Sequence, residues 1–174
     1  INKIIPMLDG CNLRSDDKNN HAIRTERGQK NNIIDSLKLM GLYGKKSIEK
    51  FIPKQYLSAS KESRLELIRG LIDTDGTVEK WGTMTYSTSS ELLAHDFLEL
   101  TRSLGAYATL SSRIPTYTYR GEDKKGQRSY KITINSENYG DFLTLPRKKE
   151  RVSATPKTRN LNIQSIEHIG DFDC

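Results

Sequence analysis

The stretch IRGLIDTDG, residues 68–76, places two carboxylates, Asp73 and Asp75, at the end of an apolar helix that the spacing predicts over residues 61–73. The C-terminus of a helix carries partial negative charge, so an acidic side chain there is disfavoured by about 0.3–1 kcal/mol. A positive charge should therefore lie close to these acids. Gly70 costs the same helix about 1 kcal/mol relative to alanine, which indicates that a second helix packs closely along its side. If that helix also ended in a carboxylate, the repulsion would require a divalent cation, and Mg²⁺ prefers such hard oxygen ligands.

A simpler interpretation of the two acids is a helix end followed by a turn into a strand. A calcium-binding EF-hand loop beginning at Asp73 is excluded, because it requires glycine at its sixth position and glutamate at its twelfth. Val78 and Met84 occupy those positions. Paired acids with Mg²⁺ are, by contrast, a common means of activating water against a phosphodiester.

The composition is compatible with a nucleic-acid partner and argues against several other classes of protein. The 174 residues carry 28 Lys and Arg against 22 Asp and Glu, a net charge of +6, although many ordinary soluble proteins are equally basic. Two cysteines are too few for a disulfide scaffold, and three scattered histidines argue against structural zinc. No apolar run approaches the ~20 residues needed to cross a bilayer, so we expect a soluble protein with no membrane partner.

The hydrophobic periodicity predicts an α+β fold with an antiparallel sheet, because helical and alternating segments follow one another along the chain. Helices are predicted at residues 33–40, 61–73 and 90–104, with a short one near 137–143. Strands are predicted at residues 83–88, 106–110, 115–120, 128–134 and 162–170. The charged segment 121–127 is predicted to be a hairpin loop, and Ser60 or Ser63 to cap the second helix.

IRGLIDTDG resembles the LAGLIDADG motif of homing endonucleases, and three further stretches extend the resemblance. GLYGKKSIEKFIP (41–53) is similar to the block that precedes the second such motif in intein-borne endonucleases, and STSSELLAHDFLELTRSLGAYATL (87–110) to the block that follows it. NIQSIEHIGDFDC (162–174) resembles the first C-terminal splicing-domain strands of inteins. The resemblance, to the DOD type, implies an α+β fold: an αββαββα repeat with an antiparallel DNA-binding β-saddle, followed by a short β segment of a Hint splicing domain.

The resemblance also implies a domain organisation and partners. Residues 1–57 would be the C-terminal part of a first endonuclease repeat, 58–152 the second LAGLIDADG repeat, and 153–174 a linker with the first strand of the C-terminal Hint segment. The implied partners are double-stranded DNA and an upstream intein segment that carries the first LAGLIDADG motif and the N-terminal splicing residues. Such a protein would be intracellular, located in the cytoplasm or with its host protein.

The family's acidic residues carry over to two positions of this sequence. Asp75, the last acid of the motif, would bind Mg²⁺ and act in catalysis. Asp73 would orient backbone or cap the helix end. Gly70 would lie at the interface between two motif helices.

Basic residues carry the other implied roles. The family places a lysine near each active site, which would be Lys50 in one case and, as a looser counterpart, Lys148 or Lys149 in the other. The residues implied to contact DNA are Lys80, Arg113, Arg120, Lys124, Lys125, Arg128 and Lys131. Such contacts would dominate the affinity and make it depend on salt.

Three functions remain open at this point. The first is a Mg²⁺-dependent homing endonuclease region within a protein-splicing element, either split or continuous. The second is a catalytically degenerate DNA-binding remnant. The third is a C-terminal split-intein fragment that associates with an N-terminal partner and splices. The presence of Asp75 and Lys50 favours the first.

Overall fold

The structure, a computed structural model, describes residues 11–16, 20–79, 83–135, 139–152, 165–168 and 170. Its helices are α1 (Asn32–Leu39), α2 (Lys54–Leu57), α3 (Lys61–Asp75), α4 (Glu91–Ser103) and α5 (Pro146–Lys149), with 3₁₀ turns at Ser47–Glu49 and Tyr139–Phe142. Its strands are β1 (Asn12–Asp16), β2 (Asn20–Arg24), β3 (Gly76–Val78), β4 (Met84–Thr88), β5 (Tyr107–Arg113), β6 (Thr116–Tyr119), β7 (Glu122–Lys125) and β8 (Ser129–Asn135). The predicted α+β class is confirmed. The chain from α3 to α5 follows the expected αββαββα order, with the β6–β7 hairpin inserted between β5 and β8.

The central sheet is antiparallel and has the strand order β3-β4-β8-β5. Gly76 pairs with Tyr86, Tyr86 with Ile132, and Ile132 with Leu110, so one row of residues crosses all of these strands. Helices α3 and α4 pack against one face. Because side chains alternate between the faces of a strand, the next row points away from the helices.

The hydrophobic core lies between α3, α4 and this sheet. Ile68 and Ile72 of α3 are fully buried, as is Phe97 of α4. The ring of Phe97 stacks on Tyr86 with centroids 4.2 Å apart. The N-terminus of α3 is capped by Ser60, whose hydroxyl accepts a hydrogen bond from the backbone N–H of Ser63, so the first of the two predicted caps is the correct one.

Some predicted elements are wrong in detail. Helix α3 continues to Asp75, two residues beyond its predicted end. The segment 121–127 is not a loop throughout, because Glu122–Lys125 forms β7 and pairs with β6. The turn between them lies at Arg120 and Gly121, whose φ angles of 53° and 81° are those of a two-residue hairpin turn. Because this turn is so tight, the charged residues Glu122–Lys125 pair with β6 as a strand instead of forming a loop.

Other differences concern short elements. The helix predicted near 137–143 is a 3₁₀ turn, Tyr139–Phe142, and α5 follows it without having been predicted. The β1–β2 hairpin was also missed. Of the strand predicted at 162–170, residues 165–168 are described and have no regular secondary structure; most of the remainder lies outside the described residues. The domain boundaries after residues 57 and 152 stay predictions.

Within the described part of the chain, no helix has the length and apolar character needed to traverse a bilayer.

Candidate active site and nucleic-acid interface

The motif ends where α3 turns sharply into the edge strand β3. Gly76 is the C-cap of the helix, and its N–H donates to the carbonyl oxygen of Ile72. A Cβ atom at Gly76 would lie 2.6 Å from that oxygen and 2.7 Å from the Ile72 Cα. Only glycine permits this close approach, which explains the last residue of the motif. The turn leaves Asp75 as the last residue of α3, directly at the start of the sheet.

Asp73 is directed into the segment that precedes α5. Its carboxylate accepts hydrogen bonds from the backbone N–H of Thr144 at 3.0 Å, from the hydroxyl of Thr144, and from the backbone N–H of Leu145 at 3.5 Å. Asp73 and Thr144 are 71 residues apart in sequence. The carboxylate therefore joins the end of α3 to the start of α5.

The side chain of Lys148 caps the C-terminus of α3. Its ammonium group donates to the carbonyl oxygens of Ile72, Asp73 and Gly76, at 2.6, 2.9 and 2.7 Å. The residue is 8% exposed. Burial lowers the pKa of Lys148, and the nearby carboxylates of Asp73 and Asp75 oppose that shift. The positive charge that the helix end requires is thus supplied at least in part by Lys148.

This geometry does not favour the direct catalytic role predicted for Lys148. A lysine ammonium has three N–H donors, and here three carbonyl oxygens accept them. The group therefore has no N–H left for a phosphate in this conformation. Lys149, the neighbouring candidate, is exposed.

Asp75 is exposed, unlike the half-buried Asp73. Gly76, the residue after Asp75, pairs with the core tyrosine Tyr86 of β4. Burial raises the pKa of Tyr86 to about 12, and the negative charge of Asp75 contributes to that shift. No cluster of three or more Asp, Glu, His or Cys side chains suited to a metal occurs among the described residues. Asp75 does fit Mg²⁺ chemically, because that ion often takes one or two carboxylates and completes its shell with water and phosphate oxygens.

Lys50 lies in a different part of the structure from the Asp73–Lys148 contacts. Its carbonyl oxygen accepts from the hydroxyl of Ser90, the N-cap of α4, at 2.6 Å, and the N–H of Ile52 donates to Asp96 at 2.8 Å. These bonds fix the backbone, while the Lys50 side chain is exposed. Among the described residues, no ion pair or hydrogen bond joins Lys50 to Asp75. The structure thus brings Asp73 and Lys148 together beside Asp75, and leaves the role of Lys50 a prediction.

The face of the sheet opposite the helices is polar. Along β8, Tyr130, Ile132 and Ile134 are buried, while Lys131 is exposed and Thr133 half-buried, as the alternation predicts. Lys131 pairs with Ser87 on β4 and with Ser111 on β5. A shallow cleft of about 170 Å³ on this face is lined by Ser87, Ser111, Ser112, Arg113, Ser129 and Lys131. The face therefore combines hydroxyl groups with two cations.

The β6–β7 hairpin carries three of the predicted DNA contacts together with two acids, Glu122 and Asp123. All its residues are exposed. The guanidinium of Arg120 and the ammonium of Lys124 lie over the ring of Tyr119, at 5.2 and 5.1 Å from its centroid. The residues predicted to contact DNA therefore lie in two places. Arg113 and Lys131 are on the sheet, with Arg128 beside them donating a hydrogen bond to Ser112. The hairpin carries Arg120, Lys124 and Lys125. Lys80 lies outside the described residues.

Gly70 faces open space on α3. The residue is exposed, and a Cβ atom built on it would meet nothing within 4 Å. Nothing in the described part of the chain packs closely enough against this position to explain its glycine. The helix-interface role of Gly70 stays a prediction that concerns a helix beyond those described.

Comparison with known proteins agrees with the fold and the motif. Residues 62–145 match the family described as LAGLIDADG-like domain. The chain is 35% identical over 127 residues to a replicative DNA helicase DnaB from Mycobacterium intracellulare, a match covering 71% of this chain and 20% of the relative. It is 29% identical over 155 residues to the DnaB of Synechocystis sp., with 85% and 16% covered. It is 30% identical over 113 residues to a RecA protein of Mycobacterium bovis, with 62% and 14% covered.

Residues 62–145, just under half of the chain, are therefore similar to a LAGLIDADG-like domain. The chain spans a fifth or less of the length of each of these relatives. Sequence reasoning missed Thr144 and the capping contacts of Lys148, and no local pattern points to either.

Proposed function

We propose that residues 58–152 of this chain are the second repeat of a LAGLIDADG homing endonuclease carried by an intein, preceded by part of the first repeat and followed by the start of the C-terminal splicing segment. We further propose that this region binds duplex DNA and hydrolyses phosphodiester bonds with Mg²⁺. The observation that carries the proposal is the position of Asp75. An exposed carboxylate stands at the point where α3 meets the edge of the sheet, and the outer face of that sheet carries hydroxyl groups and cations. That face suits the phosphate backbone, because cations supply affinity and hydroxyls supply hydrogen bonds to phosphate oxygens.

Asp75 is the residue of this chain that would hold the metal. When bound, Mg²⁺ would activate water against the phosphodiester. A second carboxylate would come from the first LAGLIDADG motif, on a helix that packs along the open Gly70 side of α3. The free surface at Gly70 supports this arrangement, because it leaves room for two helix backbones to approach.

The intein context is supported by the pattern of relatives. Similar segments occur in proteins with two different names, a replicative helicase and RecA, and each match covers a minor part of the relative. An element inserted into unrelated host proteins would produce this pattern. The partners we propose are duplex DNA and the upstream intein segment that carries the first motif.

The test begins with selection of bound duplexes from a randomised library, because the target sequence is not known. The selected duplexes are then incubated with Mg²⁺ and either this chain alone or the chain extended by its upstream segment. We expect double-strand cleavage only with the extended protein. Binding without cleavage by the extended protein would support a degenerate remnant, and efficient cleavage by a dimer of this chain alone would contradict the proposed pairing of two repeats.

Replacing the two cations of the sheet face should weaken DNA binding and reduce its dependence on salt. In an Arg113→Ser, Lys131→Thr double variant, each lost phosphate contact should lower the slope of log K against log salt by about 0.9. We therefore expect a slope reduced by up to about 2 in a titration of labelled duplex at several salt concentrations. A Lys54→Ser, Lys61→Ser variant removes the same charge from helices α2 and α3 and is the matched control. Equal effects of the two variants would argue against a specific role of the sheet face.

A further inference from the structure

We infer that Lys148 is a positioning residue that holds Asp75 in place, and not a catalytic residue. This inference rests on the proposed function of Asp75 as the metal ligand. Lys148 would hold Asp75 in place through hydrogen bonds to the backbone of α3. The adjacent Lys149 is exposed and makes no such contacts among the described residues.

The contacts of Lys148 enclose the peptide units around Asp75. Two of its carbonyl acceptors, on Ile72 and Asp73, precede Asp75, and the third, on Gly76, follows it. A single buried ammonium therefore links the last turn of α3 to the first residue of β3. Burial of an ammonium group is tolerated only when its donors are satisfied, so these three bonds also hold the lysine side chain in one position.

A second set of contacts runs in the opposite direction. Asp73 accepts from the hydroxyl and N–H of Thr144 and from the N–H of Leu145, one residue before α5 begins. The backbone N–H groups of Thr144 and Leu145 thus donate hydrogen bonds to Asp73 of α3, and the Lys148 side chain donates hydrogen bonds to the carbonyl oxygens at the end of α3. We name these two sets of contacts the α3–α5 clamp. Rotation of the Asp75 peptide would require the contacts on both sides to break.

The charges lead to the same conclusion. The helix C-terminus, Asp73 and Asp75 together concentrate negative charge, and the Lys148 ammonium lies against it. With this charge built into the protein, the end of α3 keeps its shape before a metal arrives. Asp75, which is exposed, then has its carboxylate available for a cation.

The test compares Lys148→Met with Lys54→Met, which replaces an exposed lysine of α2, in the extended protein. Methionine retains a long side chain but removes the charge and the donors. Partners that orient metal ligands typically contribute about 10–100-fold to metal affinity or activity. We expect Lys148→Met to raise the Mg²⁺ concentration for half-maximal cleavage by about tenfold or more, with an unchanged shape of the pH–rate profile. Lys54→Met should leave the Mg²⁺ midpoint unchanged.

A readout without metal or DNA keeps the inference separate from the proposed function. Amide hydrogen exchange at Gly76, whose N–H is bonded to Ile72, should accelerate in Lys148→Met and, to a smaller extent, in Thr144→Val, which removes one contact of the clamp. If Lys148→Met fails to fold, Thr144→Val carries the test. Loss of cleavage with an unchanged Mg²⁺ midpoint, an altered pH–rate profile and unchanged exchange would show Lys148 to be catalytic. Accelerated exchange in a protein that never cleaves DNA would support the inferred α3–α5 clamp and contradict only the proposed endonuclease function.

Discussion

Asp75→Asn is expected to abolish DNA cleavage by the extended protein while DNA binding is retained. The substitution keeps the size of the side chain but removes the charge that attracts Mg²⁺. Loss of a partner that only orients a metal ligand costs about 10–100-fold, so loss of the ligand itself should reduce the nicking rate by more than about 100-fold. Binding should be unchanged or slightly tighter, since one negative charge facing the phosphates is removed. Nicking and binding of a selected duplex in Mg²⁺ measure both quantities.

Asp35→Asn is the matched control for this substitution. Asp35 lies on α1, its side chain is 54% exposed, and it is 3.7 Å from the ammonium of Lys38. Its replacement should alter neither nicking nor binding. If Asp75→Asn nicks DNA as fast as the unaltered protein, Asp75 is not part of the active site.

Gly70→Leu should have opposite effects on the chain alone and on the extended protein. In the chain alone, the added side chain enters open space on the helix surface, so the free energy of unfolding should rise by up to about 0.8 kcal/mol through helix propensity. In the extended protein, the same side chain would occupy the contact between two motif helices, and overpacking typically costs about 1–3 kcal/mol. Double-strand cleavage should then be lost, because the two carboxylates no longer meet.

Thermal unfolding of both proteins and a cleavage assay check this second prediction. Glu99→Leu places a leucine at an exposed position of α4 and serves as the control. The sequence predicts that Gly70→Leu either destabilises the fold or prevents the helix pair from forming, and the open surface at Gly70 favours the second of these effects. Unaltered cleavage by Gly70→Leu in the extended protein would show that no motif helix packs at Gly70.

Much of the fold from α3 to β8 could be predicted from the sequence because its signals are local. The apolar spacing in residues 61–73 predicts α3, and the alternation around Lys131 predicts which side chains of β8 are buried. Both patterns depend on the period of a single element, 3.6 residues for a helix and two for a strand. The β6–β7 hairpin shows the limit of such reasoning, because the strongly charged β7 contradicts the usual composition of a strand and forms through its turn at Arg120 and Gly121.

The motif acids were found from sequence, but what surrounds them was decided by tertiary structure. Asp73 and Thr144 lie 71 residues apart, and no local pattern relates them. Lys148 and Lys149 are chemically identical neighbours, yet one is buried against three carbonyl oxygens and the other is exposed. Successive residues of a helix point about 100° apart, so only the packing of α5 against the end of α3 determines which lysine enters the site. The sequence determined that this chain has a helix that resembles the LAGLIDADG motif and ends in two acids; the fold decided which cation stabilises that end.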